Sequence, residues 1–327
     1  MKAVWYNKFG APEKVLIFGD YKEPNPKVNE VKVRVRASAI NPSDTKKRLG
    51  ANPMLLERGA VIPNSDGAGE IVEVGKNISQ KRIGERVWVF NGQFGRQEGT
   101  CAEYICVPEK QAVSLPDNIS FEEGAMMGIP AMTAHRCVTS DGSIRGKTLL
   151  VTGGAGRVGF YAIQWAKHFG ATVIATGSNV ESVLNCKKAG ADLVVDHPNP
   201  NTVNKILDFT NGKQLDHVVD GDFGVNLESV LDLLKINGVI TTYSSMTDLN
   251  PKIPFMRMMF MDLTIRMVLV YVMPWRAKLK AIKDITDCLK TNKLYNRIAN
   301  TYPLEESAAA HQEIERGNNF GSVIIKI

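Results

Sequence analysis

The chain of 327 residues is long enough for two domains of roughly 150 residues each. Its 44% hydrophobic and 23% charged residues are the proportions of a globular protein, which excludes a disordered or fibrous chain. The net charge of +6 favours anionic ligands in general but is too small and too dispersed to indicate a nucleic-acid groove. Five scattered cysteines indicate reduced thiols rather than a disulfide framework.

No secretory or membrane-spanning segment is predicted. The N-terminus lacks the long apolar core of a signal peptide. Residues 253–273 are apolar, but Arg257, Asp262 and Arg266 interrupt them, and each costs about 2.5 kcal/mol or more at a bilayer centre. We therefore expect a buried or subunit-facing segment here, and a soluble cytoplasmic protein with no membrane partner.

Residues 1 to about 120 show short strands separated by turns. Residues 31–37 alternate apolar and basic side chains, which is typical of a half-buried strand. Further strands are predicted at 70–75, 86–90 and 101–107, with turns such as Asn91-Gly92 between them. This part of the chain is therefore predicted to form a twisted antiparallel sheet or partial barrel.

After residue 121 apolar strands alternate with helices, which predicts a parallel sheet covered on both faces. The predicted strands are 148–152, 172–176, 193–196, 216–220 and 239–243. The predicted helices are 158–168, 180–188, 202–210 and 227–235. Glycines expected to end these helices in a left-handed conformation are Gly170, Gly190, Gly212 and Gly238. Beyond them, helices at 278–292 and 307–316 and a strand at 321–327 are predicted.

A glycine-rich loop joins the first of these strands to the first helix. Gly154, Gly156 and Gly159 have the G-x-G-x-x-G spacing, which suits a tight turn, close approach of a diphosphate and helix–strand packing. The amides at the start of the helix favour an anion. The fold class is therefore α/β with a Rossmann-type dinucleotide-binding sheet.

The end of the second strand indicates which dinucleotide is bound. An NAD site usually has Asp or Glu there, whereas residues 172–179 contain neither. Without that carboxylate nothing repels a 2′-phosphate, so NADPH is favoured. No arginine stands at the strand end, and Ser178, Ser182 and His197 are the predicted contacts.

The glycine loop and four further stretches together resemble a known family. The four stretches are Asn41–Thr45, Asp66–Gly69, Val72–Gly75 and Gly128–Ala134. They resemble the zinc-free medium-chain dehydrogenases/reductases of the quinone oxidoreductase, or zeta-crystallin-like, type. The resemblance covers essentially the whole chain.

The resemblance implies a domain organisation and an assembly. Residues 1–123 and 264–327 would form a GroES-like, mostly β catalytic domain, and residues 124–263 the inserted Rossmann-type domain. The active site would lie in the cleft between them. Members of the family are usually homodimers or homotetramers.

The resemblance also bears on metal binding. Zinc enzymes of the superfamily hold a catalytic ion with Cys, a His-Glu pair and a second Cys. The equivalent positions here are Asn41, Ser65-Asp66 and Ile129. We therefore predict that no zinc is bound.

Cofactor contacts follow from the resemblance residue by residue. The expected contacts with the diphosphate are Gly154, Ala155, Gly156, Arg157 and Val158, and those with the adenosine phosphate are Ser178 and His197. Asn226 is expected on one ribose side, and Tyr243, Ser244, Ser245 and Met246 on the nicotinamide-ribose side. Met267, Val268 and Leu269 are expected in the strand that passes the carboxamide. Arg157 stands where the family usually has glycine, so it either adds charge near the phosphates or points to solvent.

Three residues are candidates for catalysis. Asn41 and Thr133 would position the acceptor or the carboxamide. Lys46 replaces a tyrosine that the family often has near the nicotinamide, and it would neutralise charge developing on the acceptor oxygen. The alternative is a solvated charge, because Lys47 and Arg48 follow directly.

The predicted function is NADPH-dependent hydride transfer to quinones or related conjugated carbonyl compounds. Without a metal Lewis acid the acceptor must already be electrophilic. An alkenal/enone double-bond reductase is the alternative within the same chemistry. An RNA-binding or structural role is the alternative of another class, motivated by the basic sets Lys46–Arg48 and Arg276, Lys278, Lys280 and Lys283. Aromatic residues make up 7% of the chain and do not interleave with these sets, which argues against nucleic acid.

Overall fold

The computed structural model describes residues 1–196 and 201–327, so His197 lies outside the described residues. The chain forms two compact units, Met1–Ile129 with Ile282–Ile327, and Pro130–Ala281. The division predicted from the sequence falls instead at residues 123 and 264. The strand that begins at Thr264 pairs within the parallel sheet of the second unit, so that sheet extends past residue 264.

In chain order the strands are β1 (Lys2–Trp5), β2 (Ile17–Asp20), β3 (Glu30–Ile40), β4 (Asp66–Val74), β5 (Arg86–Val89), β6 (Tyr104–Pro108), β7 (Ala112–Ser114), β8 (Thr148–Val151), β9 (Thr172–Thr176), β10 (Leu193–Val195), β11 (Leu215–Asp220), β12 (Leu234–Thr242), β13 (Thr264–Met267), β14 (Ile298–Pro303) and β15 (Ser322–Lys326).

The α-helices are α1 (Pro12–Val15), α2 (Pro42–Arg48), α3 (Phe121–Gly124), α4 (Met132–Thr139), α5 (Arg157–His168), α6 (Val180–Lys188), α7 (Thr202–Phe209), α8 (Phe223–Leu233), α9 (Phe255–Phe260), α10 (Trp275–Lys290) and α11 (Ser307–Arg316). Short 3₁₀ turns lie at Pro53–Arg58, Gln80–Arg82, Glu109–Gln111, Val270–Val272 and Leu304–Glu306, and a π-turn at Met127–Ala131.

The first unit is built on a seven-stranded sheet, as the alternating apolar residues of its strands predict. Its order is β14-β15-β3-β4-β5-β7, and β6 pairs with β3. The pairs are antiparallel except for β14 with β15. Val31, Val33 and Val35 of β3 lie on the buried face with Ile71 and Ile105, which gives this unit its core. The predicted antiparallel sheet is confirmed.

The second unit is a parallel six-stranded sheet with the order β10-β9-β8-β11-β12-β13. Every neighbouring pair in it is parallel. Successive strands are added on one side of β8 up to β10 and then on its other side from β11 onward, so the strand order reverses between β8 and β11. Ligands of such sheets bind at this reversal, beyond the carboxyl ends of the strands. The predicted Rossmann-type α/β fold is confirmed, and the glycine loop after β8 lies at this reversal.

In the second unit, the largest differences in predicted boundaries lie at α8 and β12. The helix predicted at 227–235 begins at Phe223 and ends at Leu233, and β12 begins directly at Leu234 rather than at residue 239. Asn237, with φ of 60°, takes the left-handed conformation that the sequence analysis assigned to Gly238. Asparagine tolerates this conformation because its short side chain bonds locally. The other predicted left-handed glycines, Gly170, Gly190 and Gly212, have positive φ.

The apolar segment 253–273 is only partly buried: Met258 and Val270 are buried, whereas other apolar side chains are exposed. Phe255 and Phe260 of α9 are 62% and 74% exposed, and Met267 of the edge strand β13 is 76% exposed. Within the described ranges, no helix has both the length and the apolar character needed to cross a bilayer. The subunit-facing interpretation stays a prediction.

Candidate functional site

The glycine loop is tied to the strands on both sides of it. The Gly153 amide donates to Thr176 Oγ1 at 2.8 Å, and the Gly154 amide donates to the Thr176 carbonyl at 3.1 Å. Thr152 Oγ1 donates to Asp220 Oδ1 at 2.7 Å and accepts from the Gly221 amide at 2.9 Å. The loop is therefore held between the ends of β9 and β11 in a fixed conformation.

The loop needs its glycines for close packing, and it presents free amides. A Cβ on Gly159 would lie 2.4 Å from the Gly153 carbonyl oxygen, and a Cβ on Gly154 would lie 2.8 Å from the Ala175 Cβ. At the first turn of α5, the amides of Val158 and Gly159 have no acceptor among the residues that the structure describes. Such amides at a helix N-terminus bind anions, so the loop fits a diphosphate.

The end of β9 has no carboxylate, as predicted, but the two serines nearby differ. Ser178 is exposed and available to a ligand. Ser182 is buried, and its hydroxyl accepts from the Asn179 amide at 2.9 Å while it donates to the Asn179 carbonyl at 2.7 Å. Ser182 thus completes the capping box of α6 with Asn179, and its contact with the cofactor stays a prediction.

A cavity of about 500 Å³ opens beyond the ends of β12 and β13. Six residues assigned from the resemblance line it, namely Tyr243, Ser244, Ser245, Met267, Val268 and Leu269. The Val268 amide donates to the Thr242 carbonyl at 2.7 Å, which joins the two walls. Met246, also assigned from the resemblance, is exposed and does not line the cavity.

Sequence reasoning missed the other residues that line this cavity: Phe223, Thr242, Leu249, Pro251 and Ile253. Leu249, Pro251 and Ile253 belong to the irregular segment after β12, which has neither periodicity nor a motif. They add apolar side chains to a cavity that Ser244 and Ser245 also line. This combination suits a nicotinamide-ribose beside a flat apolar molecule.

Asn226 is buried and holds a carboxylate. Its Nδ2 donates to Asp220 Oδ1 at 2.7 Å, the oxygen that also accepts from Thr152. Burial raises the pKa of Asp220, and these donors oppose the shift. Asn226 thereby fixes the end of β11 beside the glycine loop, and its direct contact with a ribose stays a prediction.

In the first unit, Asn41 binds a fully buried carboxyl group. Asn41 Nδ2 donates to Asp66 Oδ2 at 2.9 Å, and the Ile129 amide donates to the same oxygen at 2.6 Å. Gly128 is required beside it, since a Cβ there would lie 2.0 Å from Asp66 Oδ1. Burial raises the pKa of Asp66 well above its usual range.

Lys47 is turned inward toward this carboxyl group. Its side chain is 16% exposed, and Nζ lies 3.3 Å from Asp44 Oδ1. The ammonium donates to Ser65 Oγ at 3.1 Å and to Gln93 Oε1 at 2.6 Å. Burial lowers the pKa of Lys47, and Asp44 opposes that shift. A buried cation therefore compensates the acidic groups of this region.

Lys47 and Arg48 do not form a solvated basic patch. Arg48 is fully buried and donates to the Gly10 carbonyl and to Glu315. Lys46, the first of the three, is half-buried. The interpretation of residues 46–48 as a solvated basic run is therefore wrong for two of its three members, while the catalytic role of Lys46 stays a prediction.

The residues at the positions of the zinc ligands do not fit zinc. Structural and catalytic zinc sites use thiolate, imidazole and carboxylate ligands. Here Asn41 and Ser65 offer neutral oxygens, Ile129 offers no side-chain donor, and the Lys47 ammonium lies 3.1 Å from Ser65 Oγ. In residues 1–196 and 201–327, no group of three or more His, Cys, Asp or Glu is arranged to hold a metal ion.

Thr133, the remaining catalytic candidate, lies in the second unit on α4. It is buried, and it stands on a helix that packs beside α5. Its role in positioning a carboxamide stays a prediction.

We expect Asp66→Asn to flatten the dependence of stability on pH. The raised pKa of Asp66 means that the folded protein keeps a proton that the unfolded chain releases above the ordinary value of 3.8. The free energy of unfolding contributed by this group therefore falls as pH rises above that value. Urea titrations between about pH 5 and about pH 8 should show the wild type losing stability relative to Asp66→Asn. Asp117→Asn, at a fully exposed carboxylate, is the control. The prediction would be contradicted if the free energy of unfolding of the wild type and that of Asp66→Asn differed by the same amount at every pH.

Both parts of the chain match known families. Residues 27–117 match the alcohol dehydrogenase GroES-like domain, and residues 158–284 match the zinc-binding dehydrogenase family. The quinone oxidoreductase of Pongo abelii is 30% identical over 324 residues, covering 97% of this chain and 95% of that protein. The 2-methylene-furan-3-one reductase of Solanum lycopersicum is 34% identical over 208 residues, covering 62% of this chain and 53% of that protein.

A solved structure agrees with these matches over the full length. A mycobacterial protein in complex with NADPH has a TM-score of 0.88 at 25% identity and covers 100% of both chains. The parallel sheet, the glycine loop and the matched domains define a medium-chain dehydrogenase/reductase. Within that class, the chain belongs to the zinc-free quinone oxidoreductase family.

Proposed function

We propose that the chain catalyses NADPH-dependent, zinc-independent hydride transfer to quinones or related conjugated carbonyl compounds. The cavity beyond β12 and β13 carries the proposal, because its lining combines the polar residues Ser244 and Ser245 with apolar residues such as Leu249 and Ile253. The family and the NADPH-bound mycobacterial neighbour support it.

Reduced nicotinamide, when bound, supplies the hydride. The amides of Val158 and Gly159 bind the diphosphate, and exposed Ser178 accommodates the 2′-phosphate. Apolar side chains of the cavity, such as Leu249 and Ile253, exclude water from the reacting atoms. In the proposal, Lys46 neutralises charge on the acceptor oxygen, while Asn41 and Thr133 orient the acceptor or carboxamide.

The acceptor must be electrophilic without help from a metal, since the side chains at the zinc-ligand positions are Asn41, Ser65 and Ile129. Steady-state oxidation of NADPH with benzoquinone and naphthoquinone tests the proposal. We expect turnover that a zinc chelator leaves unchanged. Absence of NADPH oxidation with every quinone would overturn the quinone assignment, and loss of activity with the chelator would overturn zinc independence.

An enone double-bond reductase is the second candidate. The match to the 2-methylene-furan-3-one reductase favours it, because that protein's name describes a conjugated carbonyl compound. Parallel assays with a cyclic enone distinguish the two candidates. Faster turnover of the enone than of any quinone would favour this reductase.

A nucleic-acid-binding role has less support from the structure. Lys278 is buried and donates to the Tyr271 carbonyl at 2.8 Å, while Lys283 pairs with Asp287 at 2.7 Å. Two members of the basic set around α10 are therefore engaged within the protein.

We expect Ser178→Asp to shift the coenzyme preference from NADPH toward NADH. A carboxylate at the end of β9 repels the 2′-phosphate and accepts a hydrogen bond from a 2′-hydroxyl. The ratio of kcat/KM for NADPH to that for NADH should fall by at least about tenfold, or 1.4 kcal/mol. Ser178→Ala, the uncharged control, should change it much less. An unaltered ratio in Ser178→Asp would place the 2′-phosphate elsewhere.

We also propose that the chain forms a homo-oligomer through the edge strand β13. This strand pairs only with β12 in the described residues, and Met267, Leu269 and Val272 near it are exposed apolar side chains. An exposed apolar edge strand favours pairing with another chain.

Met267→Asp should therefore shift the protein toward monomers in light scattering coupled to size-exclusion chromatography. A charge at an apolar interface loses its hydration when the interface forms. Met54→Asp, which changes a 68% exposed methionine in the first unit, should leave the mass unchanged. An identical oligomer in Met267→Asp would exclude this edge as the interface.

A further inference from the structure

A second cavity of about 500 Å³ lies in the second unit, apart from the cavity beyond β12 and β13. We call it the basic cavity. Its lining comes from the C-terminal part of α4 and the first turns of α10: His135, Arg136, Thr139, Ser140, Pro274, Arg276, Ala277 and Lys280. None of these residues lines the first cavity or belongs to the glycine loop.

Two cations of the basic cavity, Arg136 and Arg276, have no carboxylate bound to their side chains among the described residues. Arg136 is half-buried, and neither Arg136 nor Arg276 has a hydrogen bond or ion pair to a residue of the described ranges. Asp141 binds Arg266 in a two-pronged contact at 2.7 and 3.0 Å. Burial lowers the pKa of Arg136, the Arg266 guanidinium lowers it further, and Asp141 opposes the shift. The side chains of Arg136 and Arg276 therefore line the same cavity without a bonded partner in the described ranges.

The third cation is fixed in place by an aromatic ring. Lys280 Nζ lies 5.1 Å from the centre of the Phe169 ring, which holds the ammonium at the cavity wall. Arg276 and Ala277 belong to the first turn of α10, where the helix dipole also favours an anion. The cavity thus combines two arginines, one lysine and a helix N-terminus.

From this arrangement we propose that the basic cavity binds the phosphate group of a small phosphate ester. Guanidinium groups bind phosphate through pairs of parallel hydrogen bonds, and the two unbound arginines suit a dianion better than a single carboxylate. The cavity volume leaves room for the organic part of an ester. The site would be distinct from the coenzyme site, so both ligands would bind together.

Calorimetric titration of the NADPH-saturated protein with phenyl phosphate tests the proposal, because the coenzyme then occupies the glycine loop. We expect phenyl phosphate to bind at least about tenfold more tightly than benzoate, which has the same ring and a single negative charge. Arg276→Gln alters an exposed side chain and should weaken binding by about tenfold, and adding Arg136→Gln should abolish it. Lys283→Gln on the same helix is the matched control and should bind normally.

Three results would overturn the proposal. They are failure of phenyl phosphate to bind the wild type, equal affinity for benzoate, and unchanged affinity in the double variant. If only an RNA oligonucleotide binds and does so through these arginines, the surface serves nucleic acid instead. Thermal unfolding and NADPH binding of each variant exclude misfolding as the cause, and Arg136→Lys, which keeps the charge, should retain part of the affinity.

Discussion

Replacing Gly159 by valine is expected to weaken NADPH binding by about 100-fold, or nearly 3 kcal/mol. A Cβ at this position lies 2.4 Å from the Gly153 carbonyl oxygen and 2.9 Å from the Gly154 Cα, and these backbone atoms cannot move aside while the loop keeps its shape. The loop must open, and the amides at the start of α5 then no longer converge on one anion. Fluorescence titration with NADPH measures the change in affinity.

Gly142→Val is the matched control for this substitution. Gly142 has a φ of +90° and no atom within 4 Å of the position of a Cβ, so valine there strains the backbone without a clash. It should lower thermal stability and leave the affinity for NADPH unchanged. If the Gly159→Val protein is folded and binds NADPH as the wild type does, the glycine loop does not hold the coenzyme.

Lys47→Met is expected to destabilise the first unit by about 3 kcal/mol or more, because it leaves the buried Asp44 carboxylate without its cation. The ammonium is 3.3 Å from Asp44 Oδ1, and it also satisfies Ser65 Oγ and Gln93 Oε1. Methionine has a similar length and fills the space, so the lost charge dominates the effect. Urea unfolding gives the change in free energy.

The control for Lys47→Met removes a lysine from the surface of the same unit. Lys76 is exposed, and Lys76→Met should change the free energy of unfolding by less than about 0.5 kcal/mol. Similar losses in the two variants would show that the Lys47 ammonium does not stabilise the buried carboxyl groups.

The helices and strands from β8 to β11 could be predicted closely from the sequence, whereas α4, α9 and β13 are not predicted. β9 and α6 begin and end at the predicted residues, because an apolar strand is followed by a helix with a capping residue, Asn179, and a terminal glycine, Gly190. The end of α8 could not be predicted, because the helix passes into β12 without an intervening loop. There, packing rather than a local stop signal decides where the helix ends.

The candidate site could be predicted only where a local motif carries it. The glycine loop is local, and its strand, turn and helix all have recognisable sequences. The orientation of Lys47 is not local, because successive helical residues point about 100° apart and tertiary packing decides which of them face inward. Likewise, Leu249 and Ile253 join the cavity only through the path of the chain after β12.

The hydrogen bonds of Thr152 and Thr176 have a consequence for the energetics of coenzyme capture. A loop that is already immobilised loses little conformational entropy when its ligand arrives, so that cost is met during folding. Thr176→Val removes the hydrogen bond from the Gly153 amide and should therefore leave a more mobile loop. Coenzyme binding to that loop should have a more unfavourable entropy. Association should then be slower as well, since only a fraction of the molecules would present the amides in a competent arrangement.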